Sequence, residues 1–135
     1  MIERARIIER LRAELAARPE NIVAAYLFGS VARGTAKDQS DVDVAVLFAQ
    51  APPSTLAGLP VLLEADLSRA LGRQVEVVVL NRASVDLVHR VLRDGVLVAE
   101  RSRSLRIGFE VKARNTYWDL LPILRRYRRQ QSAAQ

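Results

Sequence analysis

The sequence predicts a mixed α/β (α+β) domain, in which helices pack on a small mixed β-sheet. Helical and strand-like hydrophobic patterns alternate along the chain in the order α-β-β-α-β-α-β-α. A length of 135 residues is typical of one domain. A hydrophobic share of 50% is typical of a chain that buries a core. We therefore expect residues 1–135 to fold as a single domain.

The first three elements follow from hydrophobic spacing. Residues 2–17 predict a helix, because apolar side chains recur every three or four residues until Pro19 ends the pattern. Residues 21–28, NIVAAYLF, predict a buried strand that ends at Gly29. Residues 41–48, DVDVAVLF, predict a second strand, because polar and apolar residues alternate in its first half.

The middle of the chain predicts another helix and a third strand. Leucines form one helical stripe over residues 54–71, and Gly72 follows as the expected C′ residue. Pro60 inside this pattern predicts either a later start or a kink. Residues 74–80, QVEVVVL, then predict the third strand.

Another helix and a short strand follow. Ser84 is the expected N-cap of a helix over about 85–93, and Gly95 is expected to end it. Residues 96–100, VLVAE, are a candidate for a short fourth strand.

The C-terminal segment, about 101–130, predicts a basic amphipathic helix that Pro122 is expected to bend. The chain has a net charge of +6, and residues 101–135 hold nine Lys and Arg against two acids, so the whole excess lies here. A solvated helix face explains most runs of this kind. Docking to an acidic partner surface and contact with RNA are the functional alternatives. We favour a partner interface, because the apolar stripe continues almost to the C-terminus.

Composition excludes several classes of site. The chain has no cysteine, which excludes disulfides, thiolate zinc sites and cysteine nucleophiles. His89 is its only histidine, which argues against a histidine-based zinc site. The N-terminus is charged throughout, and no apolar run approaches the length that crosses a membrane. We therefore expect a cytoplasmic protein without a membrane partner.

Three carboxylates mark a candidate metal site. Asp41 and Asp43 lie two residues apart in a predicted strand, so their side chains share one face and repel unless a cation lies between them. Glu76 interrupts the valines of the next predicted strand and can reach them if the two strands are neighbours. Hard oxygen ligands favour Mg²⁺ or Mn²⁺ over zinc, and such a triad is typical of two-metal nucleotidyl transfer. The structural alternatives are a helix or strand cap at Asp41, an arginine partner on a neighbouring helix for Asp43 and a solvent-facing Glu76.

A candidate phosphate site precedes these carboxylates. Gly29 and Ser30 directly follow a predicted strand, and the segment GSVARG predicts the first turn of a short helix. Backbone N–H groups and the Ser30 hydroxyl at such a turn bind phosphates, and Gly29 allows close approach. Arg33 adds a cation. A phosphate cradle beside a metal triad predicts a nucleoside triphosphate site.

These motifs resemble the DNA polymerase beta-like nucleotidyltransferase superfamily. The resemblance consists of Gly29-Ser30, ten residues, Asp41-x-Asp43 and a third acid at Glu76. The run GSVARGTAKDQSDVDVAV is similar to minimal nucleotidyltransferase (MNT) domains, the antitoxin partners of HEPN-domain toxins. LGRQVEVVVLNRASVDLVHRVLRDGVLVAE and FEVKARNTYWDLLPILRRYRR are also similar to these antitoxins, so the resemblance covers nearly the whole chain.

The resemblance implies a polymerase beta-like nucleotidyltransferase fold and a single minimal domain. It implies that Asp41, Asp43 and Glu76 bind two Mg²⁺ ions, with Mn²⁺ as the alternative, and that Gly29 and Ser30 hold the triphosphate of ATP. The implied reaction transfers AMP from ATP to a tyrosine hydroxyl of a HEPN RNase toxin, releases pyrophosphate and silences the toxin. The implied assembly is a hetero-oligomer with that toxin.

Two other functions stay open. A passive antitoxin would block its toxin by binding, with a weak or vestigial nucleotide site. Glu76, where minimal members often have Asp, and the basic tail motivate this alternative. The third hypothesis is a nucleotidyltransferase for RNA or for a small molecule such as an aminoglycoside. Relatives of that kind generally carry an added acceptor-binding domain, which we do not expect here.

Overall fold

A computed structural model describes residues 2–18, 21–37, 40–53 and 58–134. The elements are α1 (Ile2–Ala16), β1 (Ile22–Phe28), α2 (Gly29–Arg33), β2 (Val42–Phe48), α3 (Leu59–Leu71), β3 (Val75–Val79), a 3₁₀ turn (Leu80–Arg82), α4 (Val85–Asp94), β4 (Val96–Glu100) and α5 (Arg103–Ala134). This is the predicted order, with α2 where GSVARG predicted a short helix.

The ends of α3 and α4 agree with the sequence prediction, although Gly95 does not have the conformation of a left-handed cap. α3 begins at Leu59 with Pro60 in its first turn, which is the later start that the proline allowed. Gly95 follows α4 as expected, but its φ of −77° is not the left-handed cap conformation. A Cβ at Gly95 would lie 2.4 Å from the carbonyl oxygen of Val91, so close packing is what requires glycine there. Pro19 and the predicted helical residues 54–57 lie outside the described part of the chain.

The four strands form one mixed sheet in the order β3-β2-β1-β4. β1 runs antiparallel to both β2 and β4, whereas β2 and β3 are parallel. In that parallel pair Asp43 lies opposite Glu76. The fold is therefore the mixed α/β (α+β) class that the sequence predicts.

One face of the sheet, which we call the closed face, is covered by α1 and α3. The even-numbered residues of β2 point to this face, since alternate side chains of a strand share a side. They join apolar side chains of both helices in one core, and each is at most 1% exposed: Val42, Val44, Val46 and Phe48 from β2, Leu11 and Leu15 from α1, and Leu63 and Leu67 from α3.

The opposite face, which we call the open face, is covered in part by α4 and α5. Ala45 and Leu47 of β2 pack there with apolar residues of both helices. Tyr26 of β1 donates a hydrogen bond of 2.6 Å to Glu110 of α5, and Arg106 donates another of 2.6 Å to the same carboxylate. The bond from Tyr26 ties the first half of α5 to the sheet, and the bond from Arg106, which also lies on α5, holds the Glu110 carboxylate. Burial and the neighbouring Glu110 raise the pKa of Tyr26, which keeps it a neutral donor.

α5 continues as one helix across Pro122. Its first half packs on the sheet, and Tyr117 stacks on His89 of α4 with ring centroids 3.6 Å apart. Leu121 is its last buried side chain among the described residues. Beyond it, Arg128 donates a 2.6 Å hydrogen bond to Asp86 of α4, and the rest of the helix is largely exposed. No helix in the described stretches combines the length and the apolar character needed to cross a bilayer.

Candidate active site

The three predicted carboxylates lie at one end of two adjacent strands. β2 and β3 are neighbours, as the prediction required, and Asp43 and Glu76 occupy paired positions. Asp41 directly precedes β2, two residues before Asp43, so the backbone places it on the same side. Asp43 therefore shares the open face with Ala45 and Leu47, while its neighbours along the strand enter the apolar core.

The bend at Gly29 is in contact with this end of the sheet. Phe28, the last residue of β1, pairs with Asp43 across the antiparallel ladder. Gly29 follows with φ of +77°, a conformation that other residues rarely adopt. A Cβ at this position would lie 2.2 Å from Oδ2 of Asp43. Glycine is thus required for two reasons, and the first turn of α2 lies directly against the carboxylate.

α2 provides the polar backbone groups of the predicted phosphate cradle. It begins at Gly29, and Phe28 at its N-cap has no side-chain oxygen to satisfy the first N–H groups. Ser30 is half-buried in that first turn. The helix ends after Arg33, where Gly34 turns the chain with φ of +76°. Donors at a helix start suit an anion, because the N–H groups and the helix dipole point toward it.

The charges of the site act mainly on Asp43. Burial raises the pKa of this half-buried carboxyl, and the nearby Glu76 and Asp41 raise it further. Arg33 acts in the opposite direction, since its positive charge lowers the pKa of Asp43. The protein alone therefore bears an unfavourable concentration of negative charge at this point, and a bound cation would offset it.

The donor set fits a hard divalent cation in its chemistry. Asp41, Asp43 and Glu76 supply only carboxylate oxygens, from one side of two strands about 4.8 Å apart. Asp41 and Glu76 are exposed to solvent. Within the described residues, however, no group of three or more His, Cys, Asp or Glu side chains is gathered closely enough to hold a metal ion. The backbone thus brings the three positions together, and their side chains do not converge on one point.

A residue that sequence reasoning missed contacts the backbone directly before Asp41. Arg73, between α3 and β3, donates a 2.6 Å hydrogen bond from Nη2 to the carbonyl oxygen of Ser40. Ser40 Oγ accepts a 2.8 Å hydrogen bond from the N–H of Lys37. An arginine after a glycine carries no periodic or motif signal, so only the three-dimensional structure reveals this contact.

Family comparison decides the class of protein. A model of the family described as "Polymerase beta, Nucleotidyltransferase" matches residues 9–104, which run from α1 to the start of α5 and include the whole candidate site. The chain belongs to this nucleotidyltransferase family. The mixed sheet is accordingly the polymerase beta-like nucleotidyltransferase fold that the resemblance implied.

Solved structures extend the similarity beyond the matched family region. A crystal structure of a toxin–antitoxin with AMP-PNP superposes with a TM-score of 0.79 at 26% identity, over 93% of this chain and 98% of the other. A structure of a tri-AMPylated Shewanella oneidensis HEPN toxin in complex with an MNT antitoxin matches with a TM-score of 0.69 at 26% identity, over 97% of each chain. A putative minimal nucleotidyltransferase gives 0.53 at 35% identity, over 69% and 89%. No curated protein matches significantly.

Proposed function

We propose that this nucleotidyltransferase is an MNT antitoxin that transfers AMP from ATP to a tyrosine hydroxyl of a cognate HEPN RNase toxin. The observation that carries the proposal is the contact between the Gly29 bend and Asp43, beside Glu76, in a chain of this family. The similar structures support it, because one contains AMP-PNP and another an AMPylated HEPN toxin.

The α2 turn would hold the triphosphate. Backbone N–H groups at Gly29 and Ser30, with the Ser30 hydroxyl, donate to phosphate oxygens, and Arg33 neutralises part of their charge. The absence of a side chain at Gly29 keeps the phosphates close to Asp43. Binding there orients the α-phosphorus for in-line attack, which is the main demand that phosphoryl chemistry makes on a protein.

Asp41, Asp43 and Glu76 would hold two Mg²⁺ ions, or Mn²⁺ as the alternative. When bound, such ions lower the pKa of an attacking hydroxyl and stabilise the charge on departing pyrophosphate. In the reaction the tyrosine oxygen forms a bond to the α-phosphorus, the bond from that phosphorus to pyrophosphate breaks, and the hydroxyl proton leaves. We place this reaction in the cytoplasm, where ATP and the RNA substrates of the toxin are found.

The exposed end of α5 is the surface that we propose for the toxin. Of the eight large hydrophobic side chains that are exposed in the described part of the chain, six lie on α5, among them Trp118, Ile123 and Tyr127. Four arginines, at 125, 126, 128 and 129, follow Trp118, and no acidic residue occurs after Asp119. Aromatic residues and arginine dominate the energetics of protein interfaces, so this composition suits an acidic protein surface better than it suits RNA.

Label transfer tests the enzymatic proposal. The purified chain is incubated with its cognate HEPN-domain toxin, α-labelled ATP and Mg²⁺, and we expect label on a toxin tyrosine located by mass spectrometry. The Asp41→Ala, Asp43→Ala double variant should transfer none, whereas Glu9→Ala, which changes an exposed acid of α1, should match the wild type. Equal labelling by the wild type and the double variant would refute the proposal.

A passive antitoxin is the second candidate, and one observation favours it. The three carboxylates do not form a gathered metal cluster in the described structure, and Glu76 is exposed. This alternative predicts that the double variant at Asp41 and Asp43 still protects cells that express the toxin. Loss of protection by a variant that still binds the toxin would exclude it.

A further inference from the structure

Arg73 links three parts of the molecule that are distant in sequence. It lies between Gly72, which ends α3, and β3, and its side chain is only 14% exposed. Nη1 forms an ion pair with Glu3 of α1, while Nη2 donates to the carbonyl oxygen of Ser40 at 2.6 Å. The planar guanidinium makes both contacts at once, which a lysine ammonium on its single stem does not reproduce.

These contacts fix the backbone on both sides of Asp41. On its N-terminal side, Arg73 holds the Ser40 carbonyl. On its C-terminal side, the N–H of Val42 donates to the carbonyl oxygen of Gln74 at 2.9 Å. Residues 73 and 74 lead directly into β3, where Glu76 lies opposite Asp43. Residues 40–42, which we call the Asp41 segment, are therefore attached to β3, the strand that carries Glu76.

We propose that Arg73 is a positioning residue for divalent-cation binding, acting by holding the Asp41 segment against the start of β3. This inference rests on the metal site of the proposed function. A different arginine, Arg33 of α2, lowers the pKa of Asp43 through its positive charge. Arg73 acts through backbone geometry, in the way that outer hydrogen-bond partners orient metal ligands in other proteins.

Mn²⁺ binding to the nucleotide-free protein tests the inference without any measurement of activity. Free Mn²⁺ is followed by electron paramagnetic resonance in titrations of the wild type, Arg73→Gln and Arg69→Gln. We expect the Kd of Arg73→Gln to rise about 10-fold, the lower end of the effect of such outer partners. Arg69→Gln removes the same charge from an exposed position on α3 that pairs with Asp66, and it should bind as the wild type does.

Kinetics provide the second measurement. Because Arg73→Gln keeps all three carboxylates, we expect a higher Mg²⁺ concentration for half-maximal rate and a kcat within about twofold of the wild type at saturating Mg²⁺. A folded Arg73→Gln variant with wild-type Mn²⁺ affinity would overturn the inference and leave the proposed function standing. Should that variant fail to fold, Arg73→Lys takes its place, with an expected rise in Kd of at least about threefold and the same criterion. Absence of Mn²⁺ binding that depends on Asp41 and Asp43 in the wild type would overturn the inference, while the label-transfer experiment decides the proposed function.

Discussion

The two faces of the sheet differ in what their helices leave uncovered. On the closed face, the even-numbered residues of β2 are sealed by α1 and α3, and none is more than 1% exposed. On the open face, α4 and α5 cover Ala45 and Leu47, while Asp43 at the end of the strand is half-buried and Glu76 is exposed. The even-numbered residues of β2 thus stabilise the fold. Asp43, the first odd-numbered residue of the same strand, belongs to the candidate site. Substitutions on the two faces should therefore separate stability from activity.

Asp43→Asn should have the largest effect on activity. A bound metal ion supplies several kcal/mol of transition-state stabilisation, so we expect AMP transfer to fall about 1000-fold or more. The free energy of unfolding should not fall, because the change removes a charge that burial, Glu76 and Asp41 disfavour. Initial rates with labelled ATP and urea unfolding at neutral pH measure both. A clear loss of stability in this variant would mean that the Asp43 carboxylate stabilises the fold.

Leu67→Ala on the closed face should show the reverse behaviour. Leu67 is fully buried in the core between α3 and the sheet. We expect it to lose about 2–5 kcal/mol of unfolding free energy through lost transfer and a residual cavity. The specific activity of the remaining folded protein should stay near that of the wild type. A large fall in that specific activity, measured below the unfolding transition, would contradict the separation between the faces.

Gly29→Ala should lower both the stability of the fold and the rate of AMP transfer, each by a moderate amount. The left-handed backbone conformation would cost about 1–2 kcal/mol, and the new Cβ would displace Asp43. We expect AMP transfer to fall about 10-fold or more, since small misplacement of reacting groups has large effects. Gly34→Ala is a matched control, because Gly34 has φ of +76° but no heavy atom within 4 Å of an added Cβ. Equal activity in the two variants would show that backbone strain, not contact with Asp43, makes Gly29 necessary.

The closed face was predictable from sequence because it depends on hydrophobic period alone. The valines of β2 and β3 and the leucines of α3 mark their elements, and the paired acids stand out against them. The requirement for glycine at position 95 was not predictable in this form, since it comes from the close contact with the carbonyl oxygen of Val91 and not from a left-handed conformation. Arg73 was missed because its partner, Ser40, lies 33 positions away in sequence. Contacts set by tertiary packing leave no local pattern to recognise.

The smallest expected effect is a dependence of stability on pH, which should have opposite signs at Asp43 on the open face and at Asp66 on α3. The folded-state pKa of Asp43 is raised above its ordinary value of 3.8, mainly by burial. Its contribution to stability is thus complete below that value and is lost as the pH rises through the raised pKa. Asp43→Asn should therefore gain stability relative to the wild type as the pH rises above about 3.8.

Asp66 on α3 provides the contrasting case in the same melting experiments. The hydrogen bond from Arg18 lowers the pKa of Asp66, so its contribution is present above 3.8 and is lost as the pH falls through the lowered pKa. Asp66→Asn should be less stable than the wild type at neutral pH and should approach it in acid. At neutral pH, millimolar Mg²⁺ should narrow the difference in stability between Asp43→Asn and the wild type, because only the wild type gains from binding. It should leave the difference in stability between Asp66→Asn and the wild type unchanged. If Mg²⁺ stabilises the wild type and Asp43→Asn by the same amount, its action on the wild type is a general salt effect, and the carboxylates of the open face do not bind it.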